Sequence, residues 1–240
     1  MFSRKWLFTT LLVFAGTAVC IRLGIWQFDR LEQRRVFNHQ VESMRAADLL
    51  DLNAELPENI STMEWRAVAV TGEYDFANQV ALRNQYNGDQ YGYHLITPLL
   101  FNGTAVLVDR GWIPADGNAL PEDWRQYDAA AAGQVTVTGQ IRLGQEKPAF
   151  GGVADALPEM GKMLFVWNNL NVAQISVQSP YPLLDVYIQP DTDEGNITPP
   201  IAFQPVLELT EGSHFGYALQ WFTFATILFV GYPFYLRKQE

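Results

Sequence analysis

Two stretches of the chain are apolar without the regular polar interruptions of a surface helix. The first runs from Trp6 to Ile21 with no charged residue, follows Arg4-Lys5, and continues through Arg22 to Phe28. That length is enough to cross about 30 Å of hydrocarbon as a helix, with Arg22 near the outer boundary where its long stem can snorkel. A cleaved signal peptide is the rival reading. Thr17-Ala18-Val19 before Cys20 makes a poor lipoprotein cleavage signal, and no strong small-x-small site stands out, so a retained anchor is expected. The second stretch, Phe215 to Leu236, is rich in Phe, Leu, Ile and Ala, carries Pro233 near its exit, and is followed at once by Arg237-Lys238. Its aromatic rings suit the interfacial belts.

The pattern between the spans is different. Leu31, Val36, Val41 and Met44 are spaced among charges, which predicts a helix from Asp29 to roughly Leu52 continuing the first span outward. Leu52 to Thr62 reads as a loop. Alternating or apolar runs then predict strands at Trp65–Tyr74, Gln79–Asn84, Tyr91–Leu100, Thr104–Ile113, Gln134–Leu143, Met163–Trp167 and Leu183–Gln189. Asn87-Gly88 and Asn102-Gly103 are the strongest hairpin signals. A short helix is expected to start at Asn168 or Asn169 and to include Val172 and Ile175. Asp116–Gly133 and Gly144–Gly161 are long enough to be mobile loops. The fold class that follows is an α+β membrane protein: two transmembrane helices flanking a mainly antiparallel, barrel-like β domain outside the cytoplasm. The segments are 1–5 cytoplasmic, 6–28 first span, 29–213 β-rich domain with an N-terminal helix, 214–236 second span and 237–240 cytoplasmic.

Charge sets the orientation. No Lys or Arg occurs between Lys162 and Arg237, whereas two follow the second span, which places the C-terminus in the cytoplasm. At the first span Arg22, Arg30, Arg34 and Arg35 outnumber Arg4 and Lys5, so the second span decides: two spans put both termini on that side and the domain outside. Net charge is −10, from 26 acidic and 16 basic residues, which argues against nucleic acid as a partner. The single cysteine, Cys20, excludes an intrachain disulfide and a thiolate metal cluster. Gly16, Cys20 and Gly24, at spacings of four, form a small-residue stripe that lets helices approach closely in lipid; a homo-oligomer is one possible use.

Hydrolase and nucleotide motifs are missing: there is no Gly-x-Ser-x-Gly, HExxH, Walker loop or dinucleotide fingerprint, so no enzyme activity is expected. His214 stands at the outer mouth of the second span and shares a helical face with Tyr217, Ala218 and Trp221. An imidazole there, over aromatic rings, suits a haem iron; equally, it suits a polar residue at the headgroup level. His94 falls within a strand and His39 on the juxtamembrane helix, where structural roles are expected. Trp26 and Arg30, four apart, can stack as a cation–π pair, and Gln27 with Arg30 is placed to tie the helix to the domain. In Val106–Pro114, strict alternation puts Arg110 and Trp112 on one face and Asp109 and Gly111 on the other. One buried salt bridge accounts for this as well as a binding site does.

Four of these motifs, in order and between two spans, resemble the surfeit locus protein family. They are Leu23-Gly24-Ile25-Trp26-Gln27-Phe28-Asp29-Arg30, Gly92-Tyr93-His94-Leu95-Ile96-Thr97-Pro98-Leu99, Val108-Asp109-Arg110-Gly111-Trp112-Ile113-Pro114, and His214-Phe-Gly-Tyr217-Ala218-Leu-Gln220-Trp221-Phe222. The family often has Asn where Asp109 stands. The resemblance implies a factor that assembles cytochrome c oxidase and assists insertion of haem a into subunit I. Haem a, bound transiently, would have His214 as its iron ligand with Trp221 nearby; Tyr217 shares that helical face, and the predicted depth of Arg22 and Arg30 places one of them to meet a propionate. Gly24, Trp26, Gln27, Arg110, Gly111 and Trp112 would be interaction or structural motif residues. Subunit I and the enzymes of haem a synthesis are the implied partners, besides membrane lipid. With no presequence before the first span, the bacterial branch fits, with the domain in the periplasm and the spans in the inner membrane. The alternative is a scaffold that holds oxidase subunits or haem-synthesis enzymes without binding cofactor, with the Arg110-Gly111-Trp112 strand as an interaction surface.

Overall fold

The first apolar stretch and the charged run after it form one continuous helix, α1 (Leu7–Ala46). In this computed structural model, residues 6–148, 150–156, 163–192 and 195–239 are described. Arg4-Lys5 and part of the Gly144–Gly161 segment lie outside the described residues. α1 stops before the expected Leu52 because the chain turns to pair: β1 (Leu50–Asp51) lies parallel to β2 (Ala67–Tyr74). β3 (Val80–Asn87), β4 (Gln90–Phe101) and β5 (Thr104–Pro114) follow as a meander. Its turns are the Asn-Gly pairs, with Gly88 and Gly103 at positive φ as such tight connections require. β6 (Gln134–Leu143), the two-residue β7 (Val166–Trp167), α2 (Val172–Val177), β8 (Leu183–Pro190) and α3 (His214–Arg237) complete the order.

The strands close a ring. β2 pairs with β6, β6 with β8, β8 with β5, β5 with β4, and β4 returns to β2 through Glu73↔Leu100 and Tyr74↔Leu99. The β4 strand of 12 residues can do this because its first part pairs with β3 and its end is free for β2. The barrel is not purely antiparallel: β5 and β8 run parallel, as do β1–β2 and β3–β7. Val68, Val70, Leu99, Val106, Val108, Val137, Ile141, Val186 and Ile188 fill the interior, with Leu50, Leu52 and Ile60 in the same cluster. The opposite face of β4 and β5 carries a second cluster, in which Ile96 and Leu107 meet Trp167, Val172 and Ile175. Alternation thus buries both faces of the same strands.

Two segments expected to be mobile loops carry internal contacts in their described parts. Asp116–Gly133 folds into 3-10 turns at Pro121–Tyr127 and Ala129–Ala131 around Trp124, which is 1% exposed and donates its Nε1–H to the Asn118 carbonyl. Within Gly144–Gly161, Asp155 accepts backbone and side-chain N–H bonds from both Asn168 and Asn169. Those two asparagines are therefore not helix caps. Asn171 caps α2 instead, its side chain accepting from the Gln174 amide.

The chain divides into two compact units, Met1–Glu42 with Leu207–Glu240, and Ser43–Val206. The first contains two helices long and apolar enough to cross a membrane.

Candidate functional site

Along α1, Thr17, Cys20, Gly24, Gln27 and Leu31 are buried at alternating spacings of three and four, the signature of a helix seam. The facing stripe on α3 includes Ala218 and Ala225. The helices run antiparallel, as paired contacts show: Thr10 Oγ1 lies 2.8 Å from Tyr232 Oη, and the rings of Phe14 and Phe229 meet edge-on. Gly24 is where the approach is closest. A Cβ built there would lie 2.7 Å from the Phe222 ring, so no larger residue fits without displacing it. Phe28 stacks on Phe222 and tilts against Phe215, and it closes the seam from the outer side.

At the His214 end the seam turns polar. His214 Nδ1 donates to Gln27 Oε1 across the helix pair at 2.8 Å. Gln27 is only 9% exposed among apolar neighbours, and a buried amide is tolerated there because it has this partner. Gln27 therefore ties α1 to α3. The other ring nitrogen, Nε2, has no hydrogen-bond partner among the described residues; Gly212, at φ +67, lies beside the ring, and a Cβ there would make only ordinary contact, 3.5 Å from Cδ2 and 3.8 Å from Nε2.

Trp221 lies two turns further along α3 on the His214 side, half-buried, with its ring edge-on to Phe224. Tyr217 is 49% exposed. Arg30 stacks over Trp26 at 5.5 Å, as expected, and its guanidinium donates to Gln33. Three residues from Gln27, Arg30 falls about 60° round the helix from it; Arg22, five residues before, falls about 140° away and is exposed.

The charges that secure this mouth were counted in the sequence only as topology signals. Arg34 donates to the carbonyl oxygens of Thr210 and Glu208, and Arg35 grips Glu211 with both arms of its fork at 2.7 and 3.0 Å. The pair holds the Glu211 carboxyl below its usual range and raises the Arg35 guanidinium. These contacts span 176 residues of sequence or nearly so, and only the double arginine hints at them.

The remaining motif residues lie in the other unit, inside the β domain. Ile96 pairs with Asp109 and Leu95 with Gly111, leaving Arg110 as an extra residue in a β-bulge. Alternation is broken there, so Asp109 and Trp112 share a face, contrary to the simple reading of the strand. His94, paired with Trp112, donates Nδ1–H to Asp109 Oδ2 at 2.8 Å; Asp109 Oδ1 accepts from the Gly111 amide and caps the bulge. Gly111, at φ +115, is bridged closely by the Ile201 backbone, and Trp112 is 4% exposed. Arg110 points the other way, bonded to Gln79, Asp128 and the Tyr127 carbonyl, over the rings of Phe76 and Tyr74. These side chains build the domain and present little surface.

Among the described residues no group of three or more His, Cys, Asp or Glu could hold a bare metal ion. What the outer seam offers is a single imidazole with one nitrogen bonded and the other open. That donor set would suit a haem iron, with His214 as the residue to hold it and Phe28, Phe222 and Trp221 as its aromatic surround.

Comparison with known proteins bears on the whole chain. The model of the SURF1 family matches residues 14–226. A SURF1-like protein of Rickettsia conorii is 25% identical over 96% of this chain and 92% of its own length. One of Rickettsia felis is 27% identical over 96% and 97% respectively. An uncharacterised SURF1-like protein of Mycobacterium bovis is 25% identical over 96% of this chain and 83% of its own.

Proposed function

The chain belongs to the SURF1 family, a family of cytochrome oxidase assembly factors rather than enzymes, and from that premise we propose that it binds haem a at the outer seam and assists its insertion into subunit I of cytochrome c oxidase. The observation that carries the reading is the state of His214: Nδ1 is engaged by Gln27 while Nε2 is open beside Gly212. Bound there, haem a supplies an iron that accepts one imidazole nitrogen. The protein's part is to hold that imidazole, to pack the group with Trp221 and Tyr217, and to keep bulk water off the seam with Phe28, Phe215 and Phe222. Of the two candidate cations, Arg30 serves a propionate; Arg22 lies too far round α1.

The charge distribution supports an orientation with both termini cytoplasmic and the β barrel in the periplasm, anchored in the bacterial inner membrane. Subunit I and the enzymes that make haem a are the partners of this reading. No catalysis of its own is proposed.

The test is a spectrum. Full-length protein co-expressed with haem a synthesis and purified in detergent should carry haem absorbance, and His214→Ala should lose it while circular dichroism stays unchanged. A haem-free wild type would favour a scaffold that touches no cofactor. Unchanged binding in His214→Ala would remove this ligand.

A further inference from the structure

We propose that Gln27 is the positioning residue for His214: it selects the ring tautomer and so makes Nε2 the ligating nitrogen. The inference rests on the reading of His214 as a haem ligand and adds what chooses the atom.

A neutral imidazole has one N–H and one lone pair, and an isolated ring can place the proton on either nitrogen. The acceptor facing Nδ1 at 2.8 Å is Gln27 Oε1, a carbonyl oxygen that cannot donate. The bond therefore exists only with the proton on Nδ1, which leaves the lone pair on Nε2. The ring is also held in orientation, because Gln27 is itself fixed. It sits in the buried stripe of α1, between Gly24, whose lack of a side chain admits Phe222, and Leu31. The segment bearing Gly212 is clamped separately by Arg34 and Arg35 on the same helix. The choice of nitrogen thus follows from the Gln27 bond. Partners of this kind on the far nitrogen of a metal-bound imidazole fix the tautomer and raise ligand basicity, and their loss costs about 10–100-fold in metal affinity.

The prediction separates into an apo and a loaded measurement on the full chain in detergent. In protein carrying nitrogen-labelled histidine, with the His214 signals identified by their absence in His214→Ala, wild type should show a protonated Nδ1 and a bare Nε2. Gln27→Leu should show a mixture of tautomers. Titrated with haem a, Gln27→Leu should bind about 10–100-fold more weakly. Gln27→Glu, which keeps an acceptor, should retain the His-ligated spectrum but at a lower reduction potential, because a carboxylate draws the Nδ1 proton more strongly and makes Nε2 a better donor. A merely structural Gln27 would not move the potential in this way.

If Gln27→Leu keeps the wild-type tautomer, affinity and potential, the positioning role is overturned while the haem reading stands. If wild type shows the single tautomer yet takes up no haem a, the tautomer lock is supported and the haem reading is what fails.

Discussion

Replacing Arg110 with Met keeps much of the side-chain volume but removes the guanidinium. That group is 6% exposed and donates to Gln79 Oε1 at 2.9 Å, to Asp128 Oδ1 at 3.3 Å and to the Tyr127 carbonyl. Its plane also covers Phe76, with 4.9 Å between the guanidinium carbon and the ring centre. Burial lowers the Arg110 pKa, and Tyr74 and Asp128 oppose that shift. After substitution Gln79 still accepts from Thr97, so its oxygen is not stranded. Asp128 and the Tyr127 carbonyl lose their partner near a buried surface. Breaking a buried pair costs about 3–5 kcal/mol; because the Asp128 side chain is 18% exposed, water offsets part of this, and about 3 kcal/mol is the expectation. For a domain of this size that corresponds to roughly 6–12 °C in Tm. The loss should be local before it is global: amide exchange should rise across residues 118–131, which Arg110 clamps. Arg110→Lys, which keeps a charge without the fork, should fall between the two. A loss below about 1 kcal/mol in Arg110→Met, with exchange in 118–131 unaltered, would refute the account of Arg110 as the clamp of that segment.

Two other outcomes follow from the packing. Gly24→Leu places a branched side chain against Phe222 and should destabilise the helix pair by about 1–3 kcal/mol, and Phe222→Ala in the same protein should restore part of it, as read by pulse proteolysis in detergent; no recovery in the double variant would mean that this contact does not set the helix approach. Burial pushes the hydroxyls of Tyr74 and Tyr187 from 10.0 up to about 12, opposed by Arg110 and Arg142 respectively. Because the folded values are raised, their contribution is fully present below pH 10 and lost between pH 10 and 12, about 3 kcal/mol each, so denaturation midpoints should fall over that window and fall less in Tyr74→Phe.

Most of the β domain was legible because its signals are local. The Asn-Gly turns set the β3–β5 meander, and alternation located β6 to the residue, Gln134–Leu143. What escaped was set by distant partners. The parallel contact of β8 with β5 and the return of β4 to β2 are choices of register between strands far apart in sequence. The bulge at Arg110 is invisible to a period of two, since it depends on Asp109 accepting from Gly111 while holding His94. In the membrane unit the ligand candidate and the small-residue stripe could be named from spacing. Its bond to Gln27 could not, because 187 residues separate the two side chains. The same holds for Arg34 and Arg35, whose charges only run against the expected orientation and whose geometry shows a clamp.

The closed ring has a consequence for how many copies can share one membrane. Among the described residues the sheet ends at β1 and β7, and each is two residues long. Each strand of the ring has a neighbour on both sides, but β7 covers only Ala81 and Leu82 of β3, so the backbone edge of β3 beyond Leu82 stays open to a partner strand. Molecules tethered side by side at high local density thus meet with one short ribbon edge, not a whole sheet, through which to zip together.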